Sequence, residues 1–256
     1  MNREVIISAI LVMGLFLAGG VYSQMSGSSS VAIGNGIAYL EGQPSLGGEL
    51  LGLYWMSQRF PDYGFGELVS SKVDTLDSFN YPLGQFLLGE SISSEGVSEK
   101  ASSDPYYSSL IDFFNCRPLD SVWLDSLSSV SFSDSSLNDY ADAHSLLLLQ
   151  MVKMDYFGGR CGDYASFSPE LDDLIVSKVK IVSSQLDDKS FFDVWVERAA
   201  VLGFAGYDLS SDDVEYILSQ QSDDGGWRPS DYYDGDWSSS PHTTVLATWS
   251  LLEASK

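Results

Sequence analysis

Apolar residues in the second half of the chain recur at steps of three and four, the spacing of one face of an amphipathic helix. Leu171, Leu174, Ile175, Val179 and Val182 follow it, and so do Val214, Ile217, Leu218 and Gln221. Each segment runs into a short polar loop and then a second apolar stretch, with Trp195, Ala199, Leu202 and Gly206 on one face in the first unit and Val245, Trp249 and Leu252 in the second. Upstream, the pattern predicts a helix through Leu50, Leu51, Tyr54, Trp55 and Met56, and shorter ones at 68–79, 83–88 and 106–114. Residues 139–156, with Leu146 to Leu149, Met151 and Val152, are apolar almost all round, which predicts an inner helix walled in by neighbours. Alternation of the strand type is nearly absent. The reading is all-α, about ten helices in units of roughly 35 to 50 residues, the period of helical-pair arrays.

Helix punctuation supports this parse. Ser168 before Pro169 is an N-cap ahead of a proline in the first turn, and Ser210 with Asp213 forms a capping box with Leu209 as its staple. Gly158 and Gly206 fall where helices should end.

The loops between the paired helices also repeat. Gln185, Asp187, Asp188 and Phe191 in one correspond in spacing to Gln221, Asp223, Asp224 and Trp227 in the other. The run Gln221-Ser222-Asp223-Asp224-Gly225-Gly226-Trp227, followed by Pro241-His242-Thr243-Thr244, resembles the repeat unit of the squalene cyclase and protein prenyltransferase superfamily. That resemblance implies an α/α toroid, in which helical pairs stand around a central cavity. Because full toroids of that superfamily use about twelve helices in six pairs, the ring here is expected to be short or open. It also implies structural roles in which Gln221 caps a helix end, Asp224 accepts backbone N–H groups, Gly225 and Gly226 permit a tight turn, and Trp227 packs on the neighbouring repeat. Gln185 and Asp188 belong to a degenerate copy with Lys189 and Ser190 in place of the glycines.

The opening of the chain is a separate unit. After Arg3 and Glu4 comes an uncharged run of 17 residues from Val5 to Val21, with Val21 and Ser23 at the small-residue positions of a cleavage site before Gln24. Residues 1–23 read as a signal peptide, with an uncleaved transmembrane anchor as the alternative because the run sits at the lower limit for spanning a bilayer. Either reading makes the remainder extracytoplasmic, secreted or tethered. Residues 24–37 are rich in Ser, Gly and Asn and read as a flexible linker, leaving 38–256 as one domain.

Thirteen Lys plus Arg against 36 Asp plus Glu give a net charge of −23. Such a surface repels phosphates, so nucleic acid is excluded as a partner, and a membrane is met only through the N-terminal segment if that is retained. Acid excess fits a soluble exported protein, with a halophilic origin as the alternative. In an oxidising compartment Cys116 and Cys161 allow one intramolecular disulfide, worth about 4 kcal/mol for a loop of that length.

Candidate chemistry is sparse. The Asp-x-Asp-Asp acid of terpene cyclases is missing, and the run Arg160-Cys161-Gly162-Asp163-Tyr164 has tyrosine where a thioester would need glutamine. Asp231, Asp234, Asp236 and Trp237 concentrate acids and an aromatic in one loop, which fits a solvated loop first and a calcium or sugar contact second. His242 resembles the zinc-binding histidine of prenyltransferase β-subunits, with Cys161 and Asp163 as the remaining donors if the fold brings them together. His144 reads as a core residue with a satisfied hydrogen bond. No cofactor is expected, zinc and calcium being the alternatives. The expected function is a binding or interaction module without catalysis, acting on an extracytoplasmic ligand or protein. The alternative is an enzyme on the α/α scaffold, a polysaccharide lyase or hydrolase, or less directly a zinc-dependent or cyclase-like prenyl enzyme.

Overall fold

Where the sequence supplies caps, helices begin and end. The computed structural model describes residues 27–76, 83, 84, 87, 108, 110, 111, 121–130, 139–153, 168–229 and 238–256. The longer helices in these residues are α1 (27–42), α2 (Glu49–Arg59), α3 (Phe65–Lys72), α4 (Ser121–Ser128), α5 (Ala141–Lys153), α6 (Ser168–Ser184), α7 (Phe192–Phe204), α8 (Ser211–Ser219) and α9 (Pro241–Ala254). At the start of α8, Ser210 Oγ accepts the Asp213 N–H at 3.2 Å and Asp213 Oδ2 accepts the Ser210 N–H at 3.3 Å, completing the expected capping box. α9 opens with Ser240 as N-cap and Pro241 in the first turn. α7 closes through Gly206 at φ 86°, with the Tyr207 N–H donated to Leu202 O at 2.9 Å. The only extended pairing among the described residues is two isolated bridges, Gln221 to Trp227 and Trp227 to Ser240. No helix of the described residues is long and apolar enough to cross a membrane.

The core sits along α7 and α9, which lie against each other and are buried on every side from Phe192 to Phe204 and from Thr243 to Glu253. α5 also packs on α7 and α2 on α9, so α5, α7, α9 and α2 are consecutive neighbours. α6 covers α5 and α7, α8 packs on α9, α3 on α2, and α4 on α5. α5 is walled in by α4, α6 and α7 as its composition predicts: from Ser145 to Val152 every residue but the partly buried Leu147 is buried, and only the partly open first turn and Lys153 at the end reach solvent. The longest fully buried stretches belong to α7 and α9.

Residues 24–37 differ from the expected linker. Described from residue 27 onward, this stretch is the first part of α1, with Ala32, Ile33 and Leu40 buried in the main core. Helical propensity is weak there, and tertiary contacts override it. Gln221 Nε2 donates to Ala32 O at 2.9 Å. A Cβ on Gly36 would stand 2.8 Å from the Trp227 ring and 2.6 Å from Thr248 Oγ1, so the small residue that reads as flexibility is what lets α1 lie close to α9.

Gly225 has both reasons to be glycine. Its φ is +89°, and an added Cβ would meet Asn35 O at 2.8 Å, whereas Gly206 at φ +86° faces open space. Gly206→Ala is therefore expected to cost about 1 kcal/mol, the backbone effect alone, and Gly225→Ala about 2–3 kcal/mol. Urea denaturation of the two variants checks the difference.

Candidate functional site

The repeated loop is built from local polar bonds. Asp224 Oδ1 accepts the Gly226 N–H at 3.1 Å and the Ser239 hydroxyl at 2.7 Å, and Asp188 Oδ1 accepts the Ser190 N–H at 3.0 Å in the other copy. Gln221 Nε2 bridges Ala32 O and Gly225 O, both at 2.9 Å, while Gln185 Nε2 reaches the side chain of Asp142 on α5 at 3.1 Å. Trp227 is fully buried and donates Nε1–H to Ile217 O at 2.8 Å. The matching aromatic in the degenerate copy is not Phe191, which is 48% exposed. Trp195, one turn into α7, takes that place and donates Nε1–H to Leu186 O at 2.8 Å. The first loop enters its second helix directly, so the ring that fills under the preceding helix comes from the helix itself.

A second constellation lies between α2, α5, α7 and α9. A cavity of about 80 Å³ opens between Glu49, Leu51 and Trp55 of α2, His144 and Leu147 of α5, Glu197 and Val201 of α7, and His242, Leu246 and Trp249 of α9. Its polar groups are the only two histidines of the chain and two glutamates. Glu197 stands between the histidines: its Oε1 is 2.7 Å from His144 Nδ1 and its Oε2 is 3.9 Å from His242 Nε2. His144 Nδ1 also donates to Tyr140 O at 3.1 Å, one helical turn back.

His242 is held from behind by Asp193, whose Oδ2 and Oδ1 accept from Nδ1 at 3.0 and 3.1 Å. Asp193 further accepts from Tyr140 Oη at 2.8 Å and from the Thr243 hydroxyl. Burial works against a charge on His242, but Asp193 first, then Glu197 and Glu49, outweigh it and raise its pKa from 6.5 to about 9. Burial also opposes the charge on Asp193, and His242, Thr243 and Tyr140 more than offset it, holding that carboxyl below its ordinary range. His242 is thus an imidazolium at neutral pH, with Nδ1–H committed to Asp193 and Nε2 turned toward Glu197. Its side chain is 42% exposed and that of Glu197 4%, so the histidine stands at the mouth and the glutamate at the floor.

Of the residues singled out in the sequence, His242 and His144 meet here. Cys161, Asp163, Cys116 and the Asp231, Asp234, Asp236, Trp237 loop lie outside the described residues. Among the described residues no group of three or more His, Cys, Asp and Glu is disposed to hold a metal ion. Glu197, Asp193, Glu49 and Tyr140 were missed. One signal was present: Asp193 and Glu197 are four apart in a segment otherwise apolar enough to be buried, a spacing that puts two carboxylates on one helix face.

No protein family, no curated protein and no solved structure matches this chain.

Proposed function

We propose that this chain is a ligand-binding domain of the α/α-toroid kind, related to the squalene cyclase and prenyltransferase repeats, exported or tethered outside the cytoplasm, with its binding site in the cavity between α2, α5, α7 and α9. The observation that carries the reading is the convergence of His144, Glu197 and His242 from three helices on one cavity wall. Burying the Glu197 side chain beside apolar walls is costly, and clusters of ionisable groups in such cavities concentrate at binding and catalytic sites. The toroid reading is supported by the alternation of covering helices α6 and α8 with buried helices α7 and α9, and by the loop that joins each pair. Export rests on the N-terminal sequence.

A catalytic alternative is favoured by one feature, the imidazolium of His242 facing the carboxylate of Glu197, which is an acid and a base on one cavity. In the binding reading a bound molecule leaves unchanged; in the catalytic one it is consumed.

A fragment screen read through the two histidine imidazole NMR signals tests the site. Binders are expected to shift both signals, and Leu147→Phe, which places a ring into the cavity from a half-buried position, is expected to weaken them at least tenfold with little change in stability. A screen that moves neither imidazole would retire the cavity as a binding site.

A further inference from the structure

We propose that the cavity recognises a hydroxyl group, seated between His242 Nε2 and Glu197 Oε2, and that its ligands are neutral alcohols with a small apolar body. This rests on the cavity being a binding site. Glu197 Oε2 is buried and has no hydrogen-bond partner among the described residues. His242 Nε2 is 3.9 Å from it, beyond hydrogen-bond length. An atom off the line joining them could sit about 2.8 Å from each, with an angle of about 90° at the bridging atom, which an oxygen tolerates.

The chemistry of that atom follows from proton counting. Asp193 holds Nδ1–H, so the imidazolium presents Nε2–H as a donor, and the carboxylate of Glu197 offers only lone pairs. The bridging group must accept one bond and donate one. A hydroxyl does both. An ammonium has no lone pair and adds a second positive charge beside His242, while a carboxylate has no proton and meets the charge of Glu197. A hydroxyl seated there places the apolar body of the alcohol over Leu147, Val201, Leu246 and Trp249.

The charged and titratable groups around His242 come from several elements: Glu49 on α2, Tyr140 and His144 at α5, and Asp193 and Glu197 on α7. When His242 loses its proton near pH 9, Nε2 becomes an acceptor facing another acceptor. Alcohol binding should then weaken and amine binding gain.

Three probes share one branched body and differ in the head group: 2-methylpropan-1-ol, 2-methylpropan-1-amine and 3-methylbutanoate. Each is titrated into the full domain at pH 7 while the His242 imidazole resonances are followed. The expected result is a saturable shift with the alcohol, and binding at least tenfold weaker with the other two. Glu197→Gln, which turns an acceptor into an amide, is expected to weaken the alcohol about tenfold. Equal binding of all three, or preference for the amine or the carboxylate, overturns the hydroxyl inference and leaves the cavity as a binding site. No response to any of them overturns both.

Discussion

Asp193→Ala is expected to lower the unfolding free energy by about 3 kcal/mol at pH 6 and to flatten its dependence on pH above that value. The aspartate is 9% exposed and accepts from His242, Thr243 and Tyr140, so its removal takes one buried acceptor from three donors. Breaking a buried pair costs about 3–5 kcal/mol, and the low end applies because His242 is at the cavity mouth and can be solvated or discharged. The folded pKa of His242, about 9, lies above its unfolded 6.5, so its contribution is fully present below pH 6.5 and is lost as pH rises through 9. Asp193 is depressed, so its contribution is present above its ordinary carboxylate pKa near 4 and fades as pH falls through its lower folded value. The intact protein should therefore be most stable between about pH 4.5 and 6.5 as far as this pair decides. In Asp193→Ala the pKa of His242 falls back toward 6.5, held up only by Glu197 and Glu49, and the decline between pH 6.5 and 9 shrinks. Urea denaturation at pH 6 and 9 on both proteins measures it. A variant with the same pH slope as the parent would mean that Asp193 is not the main counter-charge of His242.

The helices with the clearest local signals were legible in the sequence. α8 has its capping box, and α6 its three- and four-residue apolar step, because each helix buries one face and exposes the other. α1 was not legible: Ser, Gly and Asn give it low propensity, and it is held by Trp227, Thr248 and Gln221 from a region nearly two hundred residues away. The same limit hid the cavity. His144, Glu197 and His242 lie on three helices, and nothing in the spacing of one predicts the others. What local reading could offer was the anomaly of Asp193 and Glu197 on one face of a buried segment. The aromatic register failed for a related reason, since spacing alone assigns Phe191 where the packing needs a ring one turn further on, at Trp195.

Trp227→Ala is expected to cost about 3–5 kcal/mol and to loosen α1. The indole is fully buried, fills the space left by Gly36, and donates to Ile217 O at 2.8 Å near the end of α8. Its backbone also ties the loop to α9, since Trp227 N donates to Thr244 Oγ1 at 3.0 Å and Ser240 N donates to Trp227 O at 2.8 Å. Alanine keeps those backbone bonds and removes the side chain, leaving a void beneath α1 and Ile217 O with the Gln220 N–H at 3.2 Å but without the indole donor. Trp227→Phe separates the two losses: it keeps much of the volume and forfeits the hydrogen bond, for an expected cost of about 1–2 kcal/mol. If the indole is what seats α1, hydrogen exchange in residues 27–42 should accelerate in Trp227→Ala well beyond the change in α7, whose neighbours α5 and α9 remain in place. Protection of α1 that falls only in step with α7 would mean that Ala32, Ile33 and Leu40 hold the helix without the tryptophan. In that case the loop motif stabilises its own turn and the start of α9, and α1 docks through its apolar face alone.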